Sequence, residues 1–236
     1  MKQKLINGAE KLGLSLDESR ADMLVRYAEL LTEWNEKINL TAIIAPDEIV
    51  TKHFLDSLSI FKTGVIKPED RVIDVGTGAG FPGLVMKIAV PSLKVTLLDS
   101  LEKRLNFLRC VCEELGLYDV DFVHARAEDA GRDTCYREKY NIAAARAVAN
   151  MSTLSEYLLP FVKVGGRCIA LKGPLADEEL KKAEKAVDIL GGKIEKIVNA
   201  EIPFTDLKHK IVCVKKTRPC PKIYPRKAGT PAKKPL

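Results

Sequence analysis

The order of apolar and polar positions changes character near residue 63. Before it, Leu24, Tyr27, Leu31, Trp34 and Ile38 recur at three- and four-residue spacing, one apolar face of an amphipathic helix. A second helix is predicted from Pro46-Asp47-Glu48 through Phe61, because proline suits a first helical turn and acids suit its positive end. From Arg71 onward, short apolar runs alternate with helical stretches. The runs Arg71–Val75, Lys94–Leu98, Asp121–His124, Ile142–Ala145 and Arg167–Leu171 predict strands. The stretches Pro82–Val90, Leu101–Leu115, Thr153–Phe161 and Ala176–Leu190 predict helices, the last stopped by Gly191-Gly192. Such alternation predicts an α/β fold: a doubly wound, mostly parallel sheet covered by helices on both faces. Two further runs, Lys193–Val198 and Lys210–Lys215, predict strands that close the sheet. The second follows a loop rather than a helix, so it is expected to be an antiparallel edge strand.

Three regions follow from this pattern: a helical extension over residues 1–62, a nucleotide-binding type of domain over 63–217, and a tail over 218–236. The tail has five prolines in 19 residues and is expected to be extended, without helix or central strand. Charge makes the tail distinctive. The chain of 236 residues carries a formal net charge of +6, and eight of its 38 basic residues lie from Lys215 onward with no acid among them. The remainder holds 30 basic against 32 acidic residues. A basic arm on a near-neutral body predicts a polyanionic partner, most often nucleic acid. No apolar stretch approaches eighteen residues and the N-terminus lacks a signal-peptide core, which predicts a cytoplasmic protein with no membrane partner. The six cysteines lack C-x-x-C spacing and read as free thiols in a reducing compartment, not as disulfides or metal ligands. Nothing demands more than a monomer.

Candidate chemistry begins with Asp74-Val75-Gly76-Thr77-Gly78-Ala79-Gly80-Phe81-Pro82-Gly83, which joins the first predicted strand of the sheet to a helix. This is the context of a nucleotide-binding loop. Residues 78–83 fit G-x-G-x-x-G, the dinucleotide pattern. Residues 76–80 fit G-x-G-x-G after an acid, the pattern of S-adenosylmethionine (SAM) sites. Asp74 favours the second parse, since a carboxylate there repels a pyrophosphate and suits the ammonium and sulfonium of SAM. Asp99, at the end of the next strand, is placed to accept ribose hydroxyls, as in either class. Glu128, after the third strand, is placed for an adenine amino group. A P-loop is excluded, because no G-K-[ST] follows the glycines. A serine hydrolase is disfavoured, because G-x-S-x-G is missing. An NAD-dependent oxidoreductase and a non-catalytic RNA-binding protein remain as competing classes.

The fourth strand ends in Ala143-Ala144-Ala145-Arg146-Ala147. It has neither the [DN]-P-P-[YF] clamp for exocyclic amines nor a cysteine nucleophile for carbon methylation. Arg146 stays protonated and cannot act as a base. It suits an acceptor that needs no deprotonation, such as the N7 lone pair of guanine. The structural alternative for Arg146 is an ion pair with Asp74 or Glu128. For His53 the alternative is a helix-face histidine satisfied by Asp56, three residues on.

The chain resembles the bacterial small-subunit ribosomal RNA guanine-N7 methyltransferases called RsmG or GidB. The resemblance lies in Asn39-Leu40-Thr41, Lys52–Ser57, Ile73–Gly83, Leu97–Arg104, Arg146-Ala147, Leu171-Lys172-Gly173 and Tyr224–Pro231. It implies a Rossmann-like, SAM-dependent methyltransferase with a seven-stranded sheet and an N-terminal helical cap. It also implies 16S rRNA or the small ribosomal subunit as partner, and methylation of one guanine in the decoding region. The implied cofactor contacts are Gly76, Phe81, Asp99, Ser100, Leu101, Ala127, Glu128 and Arg146, beside Asp74, Gly78 and Gly80 of the glycine loop. On the guanine side, Asn39, His53, Asp56, Arg146 and Lys172 are expected to line the crevice, with Lys172 facing an RNA phosphate.

Overall fold

Alternate side chains of a strand face opposite sides of a sheet, and here both sides are apolar. In the computed structural model, Val72 belongs to one buried cluster and Ile73 to the other. Val95 and Leu97 likewise join the first cluster while Leu98 joins the second. The structure describes residues 1–146, 148–173 and 176–236, with side chains omitted for 176–178. Ala147, which belongs to one of the motifs above, lies outside the described residues, as do Pro174 and Leu175.

Seven strands form one sheet: β1 (Arg71–Val75), β2 (Lys94–Asp99), β3 (Val120–His124), β4 (Tyr140–Arg146), β5 (Val162–Lys172), β6 (Gly192–Glu201) and β7 (Lys208–Lys216). Their order is β3-β2-β1-β4-β5-β7-β6. All neighbours through β5 run parallel, and β7 is antiparallel to both β5 and β6. The expected antiparallel strand is therefore present, but it is inserted between β5 and β6 and is not an edge. The helix Ala176–Ile189 leads past one strand position, and β7 returns into the gap as the second arm of a hairpin. Burial agrees: β7 is buried through Ile211–Val214, while most of β6 alternates between half-buried and exposed positions, as an edge should.

The sheet order reverses between β1 and β4, which opens a crevice at their carboxyl ends. Gly76 follows β1 and Arg146 ends β4, so both stand at this crevice. The N-terminal helices Lys2–Lys11 and Glu18–Asn35 cover one face. Asp17 caps the longer one by accepting from Arg20 N–H at 2.8 Å. Leu24, Tyr27 and Leu31 are buried, and Trp34 packs against Phe107 with ring centroids 5.7 Å apart.

The helix predicted from Pro46 to Phe61 is not one regular helix. One α turn (Pro46–Glu48) passes into a π-helix (Ile49–Leu55), another α turn (Asp56–Leu58) and a 3₁₀ segment (Ser59–Thr63). The tail also differs from expectation. It folds back on the body and ends in a helical turn, Thr230–Lys233, with proline in the first turn, the helical site where a missing N–H costs nothing.

Candidate functional site

Two neighbouring cavities open at the carboxyl ends of the strands, and Arg146 lines both. The first, of about 410 Å³, is lined by Gly76, Asp99, Ser100, Ala127, Glu128 and Arg146, all named from sequence. Arg104, Arg126, Val148, Tyr157, Gly229 and Ala232 also line it, with Val75, Leu98 and Ala125. The second, of about 370 Å³, brings together His53, Asp56, Arg146 and Lys172, with Lys52, Ile43 and His209.

The glycine loop is built by hydrogen bonds that the sequence places within reach. Gly76 has φ +71°, which a side chain would strain, and a Cβ there would press on Val148 at 3.2 Å. The Gly78 N–H donates to Asp99 Oδ2 at 2.9 Å, and Leu101 N–H donates to Asp99 Oδ1 at 2.9 Å. Asp99 is thus held by backbone donors from both loops, and each oxygen retains acceptor capacity for a ligand hydroxyl. Gly78 and Leu101 orient Asp99 and are not part of the cavity wall.

The structure places several of the predicted residues away from the cavity wall and engages others within the protein. Asp74 is fully buried and braces the loop from below: its Oδ2 accepts from Thr77 Oγ1 at 2.7 Å and from Gly83 N–H at 2.8 Å. Burial raises its pKa to about 6 against those donors. It does not line the cavity, so it acts on a ligand only through its field. Gly80 faces Tyr27 and Leu108 of the helical layer, which leaves it out of the cleft. Phe81 is also in the interior, stacked on His53 at 4.5 Å and 16°, with the Arg146 guanidinium 4.9 Å from its ring centre. Glu128 is nearly buried and accepts from Gly229 N–H of the tail at 2.7 Å, so one carboxylate oxygen is already engaged. Asn39 is not among the lining residues of either cavity.

Arg146 pairs with neither Asp74 nor Glu128. Its Nη1 donates to the Lys52 carbonyl at 3.0 Å and to Asp56 Oδ2 at 2.8 Å, and its Nη2 to His53 Nδ1 at 3.1 Å. Nε–H and one Nη2 proton find no acceptor among the described residues. The partner of Asp56 besides Arg146 is His209, with Nδ1 to Oδ1 at 2.6 Å, and not His53. His53 Nε2 instead meets Thr41 Oγ1 at 2.8 Å. Because Nδ1 accepts from arginine, His53 is neutral there; burial, then the charge of Arg146, lowers its pKa to about 4. Burial raises the pKa of Asp56, but His209 and Arg146 outweigh it and the net direction is down, so the carboxylate stays ionised at neutral pH. Lys172 donates to the Ala149 carbonyl at 2.8 Å and pairs with Glu179 at 2.8 Å.

His209 was missed because β7 was expected at the edge. In the observed register Lys210 lies opposite Lys172, so the start of β7 stands at the crevice end of β5. The Asp56 hydrogen bond raises the pKa of His209, opposed by burial. A histidine with raised folded pKa stabilises the protein fully below the unfolded value and loses that contribution as pH rises through the folded value. The stability difference between wild type and His209→Gln is therefore expected to be largest below about pH 6.5 and to shrink as pH rises above it. Urea midpoints measured from pH 5.5 to 9 check this; a difference that grows with pH contradicts the pairing.

Comparison with known proteins places this arrangement. The profile of the family GidB, rRNA small subunit methyltransferase G, matches residues 20–208. The chain belongs to the rRNA small subunit methyltransferase G family. Ribosomal RNA small subunit methyltransferase G of Acetivibrio thermocellus is 53% identical over 237 residues, covering 100% of this chain and 97% of that protein. The protein of the same name from Alkaliphilus metalliredigens is 49% identical over 238 residues and covers all of both chains. Among solved structures, M. jannaschii TYW2 in complex with AdoMet superimposes with a TM-score of 0.53 at 12% identity, covering 69% of this chain and 76% of that one. That likeness shows the fold alone. This member of the family is thus a Rossmann-like α/β methyltransferase. Among the described residues no helix is long and apolar enough to cross a membrane.

Proposed function

We propose that the chain transfers a methyl group from S-adenosylmethionine to N7 of one guanine in small-subunit ribosomal RNA. The observation that carries this reading is the pair of cavities meeting at Arg146. One suits a nucleoside and the other a nucleobase with its phosphate, and a transferred group must cross between them.

The first cavity fits the cofactor. Asp99 offers ribose hydroxyls an oriented carboxylate, Gly76 allows close approach of a ligand to backbone, and Ala127 with Glu128 borders the end expected to take adenine. Asp74 Oδ1 is fully buried without a hydrogen-bond partner, so Thr77, Gly83 and the charge of Arg146 offset the carboxylate's negative field beside the loop only in part. That suits a cationic ligand and opposes a dinucleotide pyrophosphate. SAM supplies the methyl group from a sulfonium, a leaving group that needs no protonation.

The residues of the second cavity hold and orient. Arg146 has two N–H donors to offer a base edge or a phosphate, and its fork is fixed by Asp56, His53 and the Lys52 carbonyl. Lys172 adds a cation for RNA phosphate. Neither His53 nor Asp56 is poised as a general base: both nitrogens of His53 are engaged, and Asp56 is paired on both oxygens, with Arg146 and His209. This supports N7, whose lone pair attacks without losing a proton. The electron pair of the broken methyl–sulfur bond stays on sulfur, and the positive charge passes to the guanine ring. With no proton to move, the protein contributes chiefly alignment, which can supply roughly 7–11 kcal/mol of the barrier.

The test is transfer of labelled methyl from SAM to small-subunit rRNA and to intact subunits from cells lacking this gene. Incorporation into either form is the expected result. Tight NAD(H) binding with no SAM binding, or SAM binding with no incorporation into any rRNA form, contradicts it.

A further inference from the structure

The chain beyond β7 leaves the sheet but stays on the body, and its attachments are unlike those of a loose basic arm. Arg137 donates to the carbonyls of Cys220, Pro221 and Tyr224. Arg132 donates to the carbonyl of Pro225, and Thr153 Oγ1 to that of Pro231. Arg226 forks onto Glu156, with Nη2 2.7 Å from Oε2 and Nε 2.9 Å from Oε1, and its backbone N–H donates to the same group. Glu156 is 0% exposed. A carboxylate so buried is tolerated only when paired and fully hydrogen-bonded, and this tail supplies those donors. Of the eight basic residues from Lys215 on, Lys216, Arg218 and Arg226 are already paired, with Glu138, Asp188 and Glu156.

These anchors deliver one short segment to a defined place. Gly229, in a left-handed conformation at φ +80°, donates its N–H to Glu128, and Gly229 and Ala232 then line the first cavity beside Ala127 and Tyr157. The family profile ends at residue 208, so the whole strap lies beyond the matched region. We propose that the C-terminal strap, locked by the Glu156–Arg226 pair, is the wall of the cofactor cleft at its adenine end, and that it sets affinity for SAM. Glu128 serves as the latch that positions Gly229, and the nucleoside base packs between the loop after β3 and the strap. The inference rests on the reading of this cavity as the SAM site.

The experiment measures SAM binding by calorimetry on the full-length chain and on two variants. Ala232→Trp changes an exposed residue that no anchor uses, so a merely structural tail would not register it. It is expected to weaken SAM binding about tenfold or more and to raise KM for SAM, with the melting temperature and RNA affinity unchanged. Arg226→Ala, which releases the strap, is expected to weaken SAM binding by a similar factor while lowering the melting temperature. Unchanged SAM affinity in Ala232→Trp overturns the proposal. So does a loss confined to RNA affinity with a shallower salt dependence in Arg226→Ala, the behaviour of an RNA-binding arm. A full-length chain that binds no SAM at all fails at the earlier step, the cofactor reading itself, and overturns both.

Discussion

Arg146→Ala is expected to cut methyl transfer by about 10²-fold or more while the protein stays folded and its SAM affinity falls less than tenfold. Three protein acceptors hold the guanidinium fork, and two of its donors remain for a ligand. Alanine removes the group shared by both cavities but leaves the wall around Asp99, Gly76 and Ala127 in place. Asp56 keeps His209 as a partner, so no isolated buried charge is created. Arg146→Lys is not expected to rescue, because one ammonium cannot reach the Lys52 carbonyl, Asp56 and His53 together. Single-turnover rates beside SAM dissociation constants check this. A loss of SAM binding that accounts for the whole loss of rate assigns Arg146 to the cofactor and contradicts its place on the acceptor side.

The second large effect is on stability, in Gly80→Ala. Gly80 has φ +93°, where an L residue is strained, and a Cβ would collide with the Tyr27 hydroxyl and lie 2.8 Å from Leu108 Cδ2. Tyr27 is fully buried, its hydroxyl bonded to the Ala79 carbonyl and its ring packed against Phe54, Phe81 and Phe107. A shift of Tyr27 would break its hydroxyl bond to Ala79 or disturb its packing on those three rings. Overpacking together with backbone strain is expected to cost about 3–5 kcal/mol. Gly78→Ala also carries the strain of a positive φ, but nothing lies within 4 Å of its Cβ, so about 1–2 kcal/mol is expected. Denaturant midpoints of the two variants decide the matter. Equal costs contradict the assignment of Gly80 to the helical interface.

These two residues show what the amino-acid pattern could and could not reveal. Short apolar runs located all seven strands within about five residues, because most of the strands are buried on both faces and read as continuous apolar segments, which is a local property. The crevice was legible for the same reason, since Gly76, Asp99 and Arg146 sit immediately at strand ends. Sequence spacing did not distinguish a glycine that lines the cavity from one packed against the helical layer. Gly76 and Gly80 look alike in the motif, and only the position of Tyr27, more than fifty residues away, separates them. His209 was hidden because its place depends on β7 entering between β5 and β6, a long-range choice. The tail was misread on composition. Five prolines argue against regular structure, but they do not prevent a chain from being fastened by Arg132, Arg137 and Thr153 through its carbonyls, and they permit a terminal helical turn that starts on proline. Of its basic residues, Arg226 is committed to a carboxylate inside the molecule.

The π-helix shows a similar limit. Thr51 to Leu55 carries His53, and the Lys52 carbonyl that receives Arg146 belongs to this widened stretch. An α-helix of the same composition would turn the side chains by a different angle per residue and would not present His53 and Asp56 to Arg146 in the same way. The fork of Arg146 therefore depends on local backbone geometry that residue types alone do not specify.

The most direct test of the central claim is nucleoside mass spectrometry of small-subunit rRNA from cells lacking this gene, after incubation with the purified protein and SAM. The account predicts N7-methylguanosine at a single site, formed by wild type and reduced at least about 10²-fold with Arg146→Ala. A methyl group on an exocyclic amine, a ring carbon or a ribose hydroxyl would contradict it, because each of those acceptors needs a base or nucleophile, a role that neither His53 nor Asp56 is free to fill.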